Sequence, residues 1–275
     1  MRHLVQSLWV VLLSLAACGS SGGGPPSGTL PLIGKAADAA AAAVLYSGEA
    51  ISGIADGAVE IIDRLDQSEE GTFNCPEGGT YTIDLNGNPP TGGTMTLNGC
   101  KVDFDGDLAT LNGTIDFRFV DNDTMALVFD MTATEDGDTT AIEGDMTVRW
   151  RFGGGATAVQ TVWGDELSLS EDGFTLTFEK YRFEETTDLN TDDWTATMRG
   201  YLRTNEVAGS VYFETLERLA GPEDDHPTAG VVIVRGLAGT RVRITLMGED
   251  ILLEYDEDGD GTYEDDETIT WDDLD

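Results

Sequence analysis

Over most of the chain, apolar residues fall at every second position. Ile115, Phe117 and Phe119 alternate with Asp116 and Arg118. Met125, Leu127, Phe129 and Met131 form a second series, and Met146, Val148, Trp150 and Phe152 a third, opposite Thr147, Arg149 and Arg151. Successive side chains of a strand point to opposite faces, so this pattern predicts antiparallel strands with one apolar face. Phe174, Leu176 and Phe178 keep the phase, but Tyr181 and Phe183 break it. One extra residue restores it, which predicts a bulge near Glu179 and Lys180. Further strands are predicted around 194–202, 210–215, 231–234, 241–246, 251–255 and 268–271. Leu-Asn-Gly recurs three times, ending at Gly87, Gly99 and Gly113. That spacing reads as strand plus turn, with Asn-Gly supplying the left-handed backbone of a tight hairpin.

The period changes before Gly71. From Lys35 to Leu65 the apolar positions recur at helical spacing. Val44, Ile51, Ala55, Ala58, Ile62 and Leu65 share one face, flanked by Ile54 and Ile61, with Glu49, Asp56, Glu60 and Arg64 opposite. The alanines of 36–43 favour helix, while Gly48 marks a place where it could break. Gly53 and Gly57 lie with the acids, which reads as a helix covering a sheet rather than a membrane helix pair.

The predicted fold is therefore mainly β. It is an antiparallel meander or curved sheet of roughly ten or more strands, with one N-terminal amphipathic helix packed on it. The chain divides into 1–17, 18–31, a helical 32–70, a β domain 71–220 and a C-terminal β region 221–275. The acidic stretch 220–230 joins the last two, and 221–275 is either a separate unit or the end of the same sheet. An outer-membrane barrel is the competing architecture, but aromatic girdles are not evident.

Composition sharpens the functional side. The formal charge is −37 over 275 residues. That excludes nucleic acid, which needs a basic footprint, and electrostatic docking on anionic lipid, and it favours cations. Residues 1–17 carry Arg2, His3 and a short apolar run, the pattern of a secretory signal. They end in Leu15-Ala16-Ala17-Cys18, which resembles the lipobox of bacterial lipoproteins. The resemblance implies cleavage before Cys18 and lipidation of that cysteine, with the membrane as partner through its acyl chains. Each buried methylene of such chains contributes about 0.8 kcal/mol. Gly19 rather than Asp follows Cys18, which implies the outer membrane, facing the periplasm or the cell surface. Loss of Arg2 takes the charge from −37 to −38. The Gly-, Ser- and Pro-rich residues 19–31 read as a tether.

Export places the remaining cysteines, Cys75 and Cys100, in an oxidising compartment, and they read as one disulfide. A metal site would need more soft ligands, and a redox pair would lie closer in sequence.

The acidic stretch Asp256–Glu267 offers the clearest chemistry. Asp256, Asp258 and Asp260 alternate, and Gly261 follows where a sharp turn needs it. Thr262 would give its carbonyl, Glu264 would act through water, and Glu267 would bind with both oxygens. The stretch resembles an EF-hand loop over its full length, which implies Ca2+. It departs from that family in its flanks, which alternate like strands, and in Tyr263, where an aliphatic residue is usual. The alternative is an acidic hairpin turn whose Asp-Gly pairs serve geometry alone.

The other catalytic signatures are missing. His226 is the only histidine after the signal and sits in an acidic loop. There is no nucleophile elbow, zinc-protease motif, phosphate loop or dinucleotide fingerprint. Trp150, Trp163, Trp194 and Trp271 belong either to the core or to a ligand surface. Taken together, the signal, the tether, the alanine-rich helix, Cys75–Thr80, the Leu-Asn-Gly strands and the acidic tail resemble proteobacterial lipoproteins with no assigned activity. The expectation is a lipid-anchored, non-enzymatic binding or structural β module. The alternatives are a lipid or lipoprotein carrier with an apolar cavity, and a carboxylate-dependent glycan hydrolase for which the sequence nominates no pair. Protein or glycan partners stay unspecified.

Overall fold

The computed structural model describes residues 30–64, 70–87, 91–104, 107–135, 137–152, 156–191, 193–205, 209–222 and 226–273. The signal, Cys18, most of the tether and Leu65 lie outside them. Among the described residues one α-helix, α1 (Lys35–Arg64), precedes fourteen strands. These are β1 (Gly71–Asn74), β2 (Thr80–Asn86), β3 (Gly92–Phe104), β4 (Asp107–Asp121), β5 (Thr124–Glu135), β6 (Asp138–Phe152) and β7 (Thr157–Glu171). They continue as β8 (Phe174–Asp188), β9 (Trp194–Thr204), β10 (Val211–Gly221), β11 (Ala229–Arg235), β12 (Arg241–Met247), β13 (Asp250–Asp256) and β14 (Asp265–Thr270). Each strand pairs antiparallel with its neighbour in sequence, giving one open sheet in the order β1 to β14. Strands β11 to β14 are thus the end of the same sheet, joined through the β10–β11 pairing.

Alternation decides the faces. Ile115, Phe117, Met125, Leu127, Phe129, Met131, Met146, Val148, Phe174, Leu176 and Phe178 are all buried in one continuous core. The opposite face is polar. Side-chain pairs such as Ser168–Thr177 (2.9 Å) and Arg203–Glu179 (3.0 Å) cross it from strand to strand. Trp163 lies on this outer face, between the guanidinium groups of Arg149 and Arg182 at 5.6 and 6.0 Å from its ring. A lipid-facing strand needs the reverse, an apolar band turned outward.

The predicted bulge is present. The β8–β9 register shifts between Glu179 and Arg182, and Lys180 has a φ of 50°. The extra residue returns Tyr181 and Phe183 to the core. The Leu-Asn-Gly repeats behave otherwise than expected. Gly87 follows the end of β2, but Asn98-Gly99 and Asn112-Gly113 lie inside β3 and β4. Leu97 pairs with Gly113 and Cys100 with Leu111, so Asn98-Gly99 is a bulge, with Gly99 at φ 57°. Asn-Gly supplies a left-handed residue, and a bulge uses it as readily as a turn does. The strands are correspondingly longer than the repeat suggested. Cys75 and Cys100 are joined in a disulfide with Cα atoms 5.4 Å apart. Closing a loop of this size stabilises by about 3 kcal/mol on chain-entropy grounds.

The helix is more deeply set than a one-sided amphipathic packing would give. Residues 40–48 are buried one after another, which covers every side of the helix over that stretch. Asp56 is exposed, as expected, and so is Asp38, but Gly57 is buried. The helix touches β7, β8, β11 and β12. Tyr255 Oη on β13 donates to Asp38 Oδ1 at 2.8 Å. It runs unbroken through Gly48, because glycine there lets the helix lie against the sheet. A methyl group at this position would come within 3.3 Å of the Phe183 ring.

Candidate functional site

The acidic stretch connects β13 to β14 in a hairpin that closes with the Tyr255–Asp265 pair. The strand flanks read from alternation are therefore present. Asp256 ends β13 fully buried. Its Oδ1 accepts from the Gly259 N–H at 2.8 Å, and its Oδ2 from the Gly261 N–H at 3.0 Å. Asp258 Oδ1 accepts from Asp260 N at 3.0 Å, Asp260 Oδ1 from Thr262 N at 2.7 Å, and Glu264 Oε2 from Glu257 N at 3.3 Å. The three aspartates thus fold the loop by capturing N–H groups ahead of them, and Glu264 reaches back to its start. The glycines are required. Gly259 (φ 78°) packs so closely on the turn at Ala238 that a Cβ would lie 2.3 Å from the Ala238 carbonyl oxygen, and Gly261 has φ 99°.

Carboxylate oxygens of Asp256, Asp258, Asp260 and Glu264 lie within 4.8 Å of one another. Four hard oxygen donors around one point suit a hard divalent cation. Thr262 closes the turn through its N–H, as described. Glu267 is not among the gathered carboxylates. On β14 it pairs with Leu253 of β13, two rungs past the hairpin's closing pair. At about 3.4 Å per residue, strand pairing carries it roughly 7 Å down the sheet. The Thr262 N–H holds the Asp260 carboxyl below its usual range. A depressed carboxyl stabilises the fold above its unfolded value, and that contribution is lost as pH falls through the folded one.

Arg241 is the participant that sequence reasoning missed. Its Nε donates to Asp256 Oδ2 at 2.6 Å, and its guanidinium lies 5.8 Å from the Tyr263 ring centre. Asp256 raises the affinity of Arg241 for its proton. A carboxylate offers about four lone-pair positions. On Asp256 three are taken, by Gly259, Gly261 and Arg241, which leaves one for an ion. Glu257 reaches the other way, accepting from Gly34 N at the start of α1 at 2.9 Å. The loop therefore ties the last hairpin to both the β11–β12 turn and the helix.

His226 does not stand free in its loop. Its ring stacks on Trp271 with centroids 4.4 Å apart, and Trp271 meets Tyr46 of α1 edge-on at 6.3 Å. Trp271 is buried in the core, and Trp150 and Trp194 pack against it half-buried.

A second polar cluster lies where α1 crosses β7 and β8. Gln160 of β7 donates through Nε2 to Asp56 of the helix, and its Oε1 accepts from Ser52 Oγ at 3.3 Å. Glu185 of β8 pairs directly with Gln160, and its Oε1 accepts from Thr187 Oγ1 at 3.2 Å. Burial pushes the Glu185 carboxyl up, and the charge of Asp56 pushes it further. A carboxyl raised on folding costs stability once both states are ionised, and the cost vanishes below its unfolded value. Glu185→Gln is therefore expected to raise the thermal midpoint at pH 8 and to leave it unchanged well below the ordinary glutamate value of 4.5. An equal shift at both pH values in thermal melts would contradict this.

Compared with models of protein families, with curated proteins and with solved structures, the chain finds no match.

Proposed function

We propose that the protein is a lipid-anchored envelope module, held at the outer membrane through Cys18, whose β body serves binding or structure rather than catalysis. In this reading the β13–β14 loop is a structural Ca2+ clasp. The observation that carries the clasp is the convergence of Asp256, Asp258, Asp260 and Glu264, the three aspartates accepting backbone N–H bonds from later residues of the loop. The lipobox at Leu15–Cys18 supports the anchor, and the net charge of −37 supports cations over anions as ligands. The clasp would hold the last hairpin against the turn at Ala238 and the helix start at Gly34, which its bonds already join. A cation there would be coordinated by Asp258, Asp260, Glu264 and the remaining lone pair of Asp256. With three of four positions on Asp256 occupied, affinity would fall in the weak extracellular range, on the order of 0.1 to 1 mM.

The test is the thermal midpoint of the purified protein in EDTA against millimolar Ca2+. Ca2+ at about ten times its dissociation constant stabilises a fold by about 1.4 kcal/mol. The wild type should melt higher in Ca2+, and Asp258→Ala combined with Asp260→Ala should melt alike in both. Identical wild-type melts would leave the loop as an acidic hairpin.

A further inference from the structure

On the polar face of the sheet, away from α1, strand β10 leaves its neighbour. From Val211 to Glu214 it pairs residue by residue with β9, ending at Glu214 against Arg199. Pairing resumes only at Leu219 against Ala196. Thr215, Leu216, Glu217 and Arg218 therefore stand against Thr197 and Met198 alone, and the surplus backbone bows out of the ladder. The Met198 N–H donates to a side chain there, Thr215 Oγ1, at 2.9 Å. A cavity of about 320 Å³ opens beside this bow, lined by Arg182, Glu184, Thr197, Arg199, Glu214 and Thr215.

The charges around this cavity do not cancel. Trp163, Arg182, Arg199 and Glu214 form one rung across β7 to β10. Arg182 and Arg199 are thus direct cross-strand neighbours, where like charges repel. Arg182 is drawn aside: its Nη2 donates to Glu184 Oε2 at 2.9 Å, and its guanidinium lies 6.0 Å from the Trp163 ring centre. Glu214 is taken too, its Oε1 by Arg235 and its Oε2 by the Tyr212 hydroxyl at 3.1 Å. Arg199 makes no hydrogen bond and no ion pair among the described residues, and its charge reaches Glu214 only through space. Two arginine–glutamate pairs cancel, and one positive charge is left over on an exposed side chain of the cavity wall. Donors are left over as well. Thr215 Oγ1 accepts from Met198 and keeps its O–H to give, and the Thr197 hydroxyl has no partner among the described residues.

We infer that this notch binds the carboxylate of a monoanion, held by the Arg199 guanidinium and the hydroxyls of Thr197 and Thr215. A guanidinium fork matches a planar carboxylate through two parallel bonds. One uncompensated charge suits one negative charge. A dianion such as phosphate would bring a second charge against Glu184 and Glu214, with nothing left to balance it. The cavity is at the small end of ligand pockets, so it admits a small molecule or a chain end rather than a folded surface. Two sources share this chemistry, a free short-chain carboxylic acid and the C-terminus of a peptide. The net charge of −37 repels either one at long range, so binding rests on the close contact and is weak. The notch shares no residue with the loop at Asp256 or with Cys18, so it stands or falls apart from the clasp and the anchor.

The experiment is a calorimetric titration of the purified full-length protein, in low salt and a non-ionic detergent. The probes are acetate, butyrate, N-acetyl-trialanine, the C-terminal amide of that peptide, and inorganic phosphate. At least one of the three carboxylates should bind with a Kd on the order of 1 mM, and the amide should not. Binding of acetate or butyrate assigns a free acid, and binding of the peptide alone assigns a chain end. Arg199→Gln should weaken binding by about tenfold or more, the loss of one charge-assisted pair. Arg203→Gln should bind as wild type, because that arginine is held by Glu166 and Glu179 elsewhere on the same face. Without ligand, Arg199→Gln should not lower the thermal midpoint, since it removes a repulsion and breaks no bond. A lowered midpoint would make Arg199 a structural partner of Glu214 and would overturn the proposal. So would the absence of binding by every carboxylate at about 20 mM, well above the millimolar end of the affinity scale. Binding that survives Arg199→Gln, an amide that binds like the acid, or phosphate that binds more tightly than every carboxylate would each overturn it as well.

Discussion

Asp256→Ala is expected to destabilise the protein by about 3 to 5 kcal/mol, the loss typical of removing one partner from a buried ion pair. Asp256 is fully buried, whereas Arg241 keeps 29% of its side chain exposed. Removing the carboxylate leaves the Arg241 Nε without its 2.6 Å acceptor, and it strips the Gly259 and Gly261 N–H groups of theirs. Two residues at positive φ then lose the bonds that hold them there. Asp256→Asn should recover part of the loss, because one amide oxygen can still accept, though without charge. Chemical denaturation of the three proteins in EDTA isolates this term from any bound cation. If Asp256→Ala costs less than about 1 kcal/mol, the range of an exposed pair, the loop is not a structural hub of the hairpin.

The difference between Arg241 and Glu267 shows where the sequence was legible and where it stopped. Alternation named nearly every later strand, because one buried face imposes a period of two and a one-residue slip would invert it. It also located the bulge at Lys180 from the phase break before Tyr181. It could not say which residues stand opposite one another. The hairpin turn at Gly248 and Glu249 sets the register that puts Arg241 across from Asp256, and writing that register out would have found the ion pair. The same logic accounts for the place of Glu267 outside the gathered carboxylates, since pairing with Leu253 puts it on β14. The Asn-Gly pairs failed for a different reason. Their left-handed preference is local, while the choice between turn and bulge depends on whether the next strand is already paired. Likewise, nothing in the helix sequence distinguished a cover from an insert. An alanine-rich stretch has small side chains on all sides, so it can be buried all round wherever the sheet surrounds it.

That burial makes the helix contact the second place where a single change should be costly. Phe183 is 4% exposed, and its ring lies under Gly48. Phe183→Ala is expected to cost about 3 to 5 kcal/mol, from lost apolar burial and the cavity left between helix and sheet. The partner change separates packing from mere bulk. Gly48→Ala gains about 1 kcal/mol of helix propensity, but its methyl group would press on the Phe183 ring at 3.3 Å. In wild type the crowding offsets that gain. In the Phe183→Ala background the methyl meets only the Met198 sulfur, at an ordinary contact distance of 3.8 Å, and the gain should appear in full. Denaturant unfolding of the two single mutants and the double mutant measures the coupling directly, because residues in contact fail to add. A coupling of zero would mean that Gly48 and Phe183 do not share a contact, and that the helix is held by its ends, through Asp38 with Tyr255 and Asp56 with Gln160, rather than by its middle.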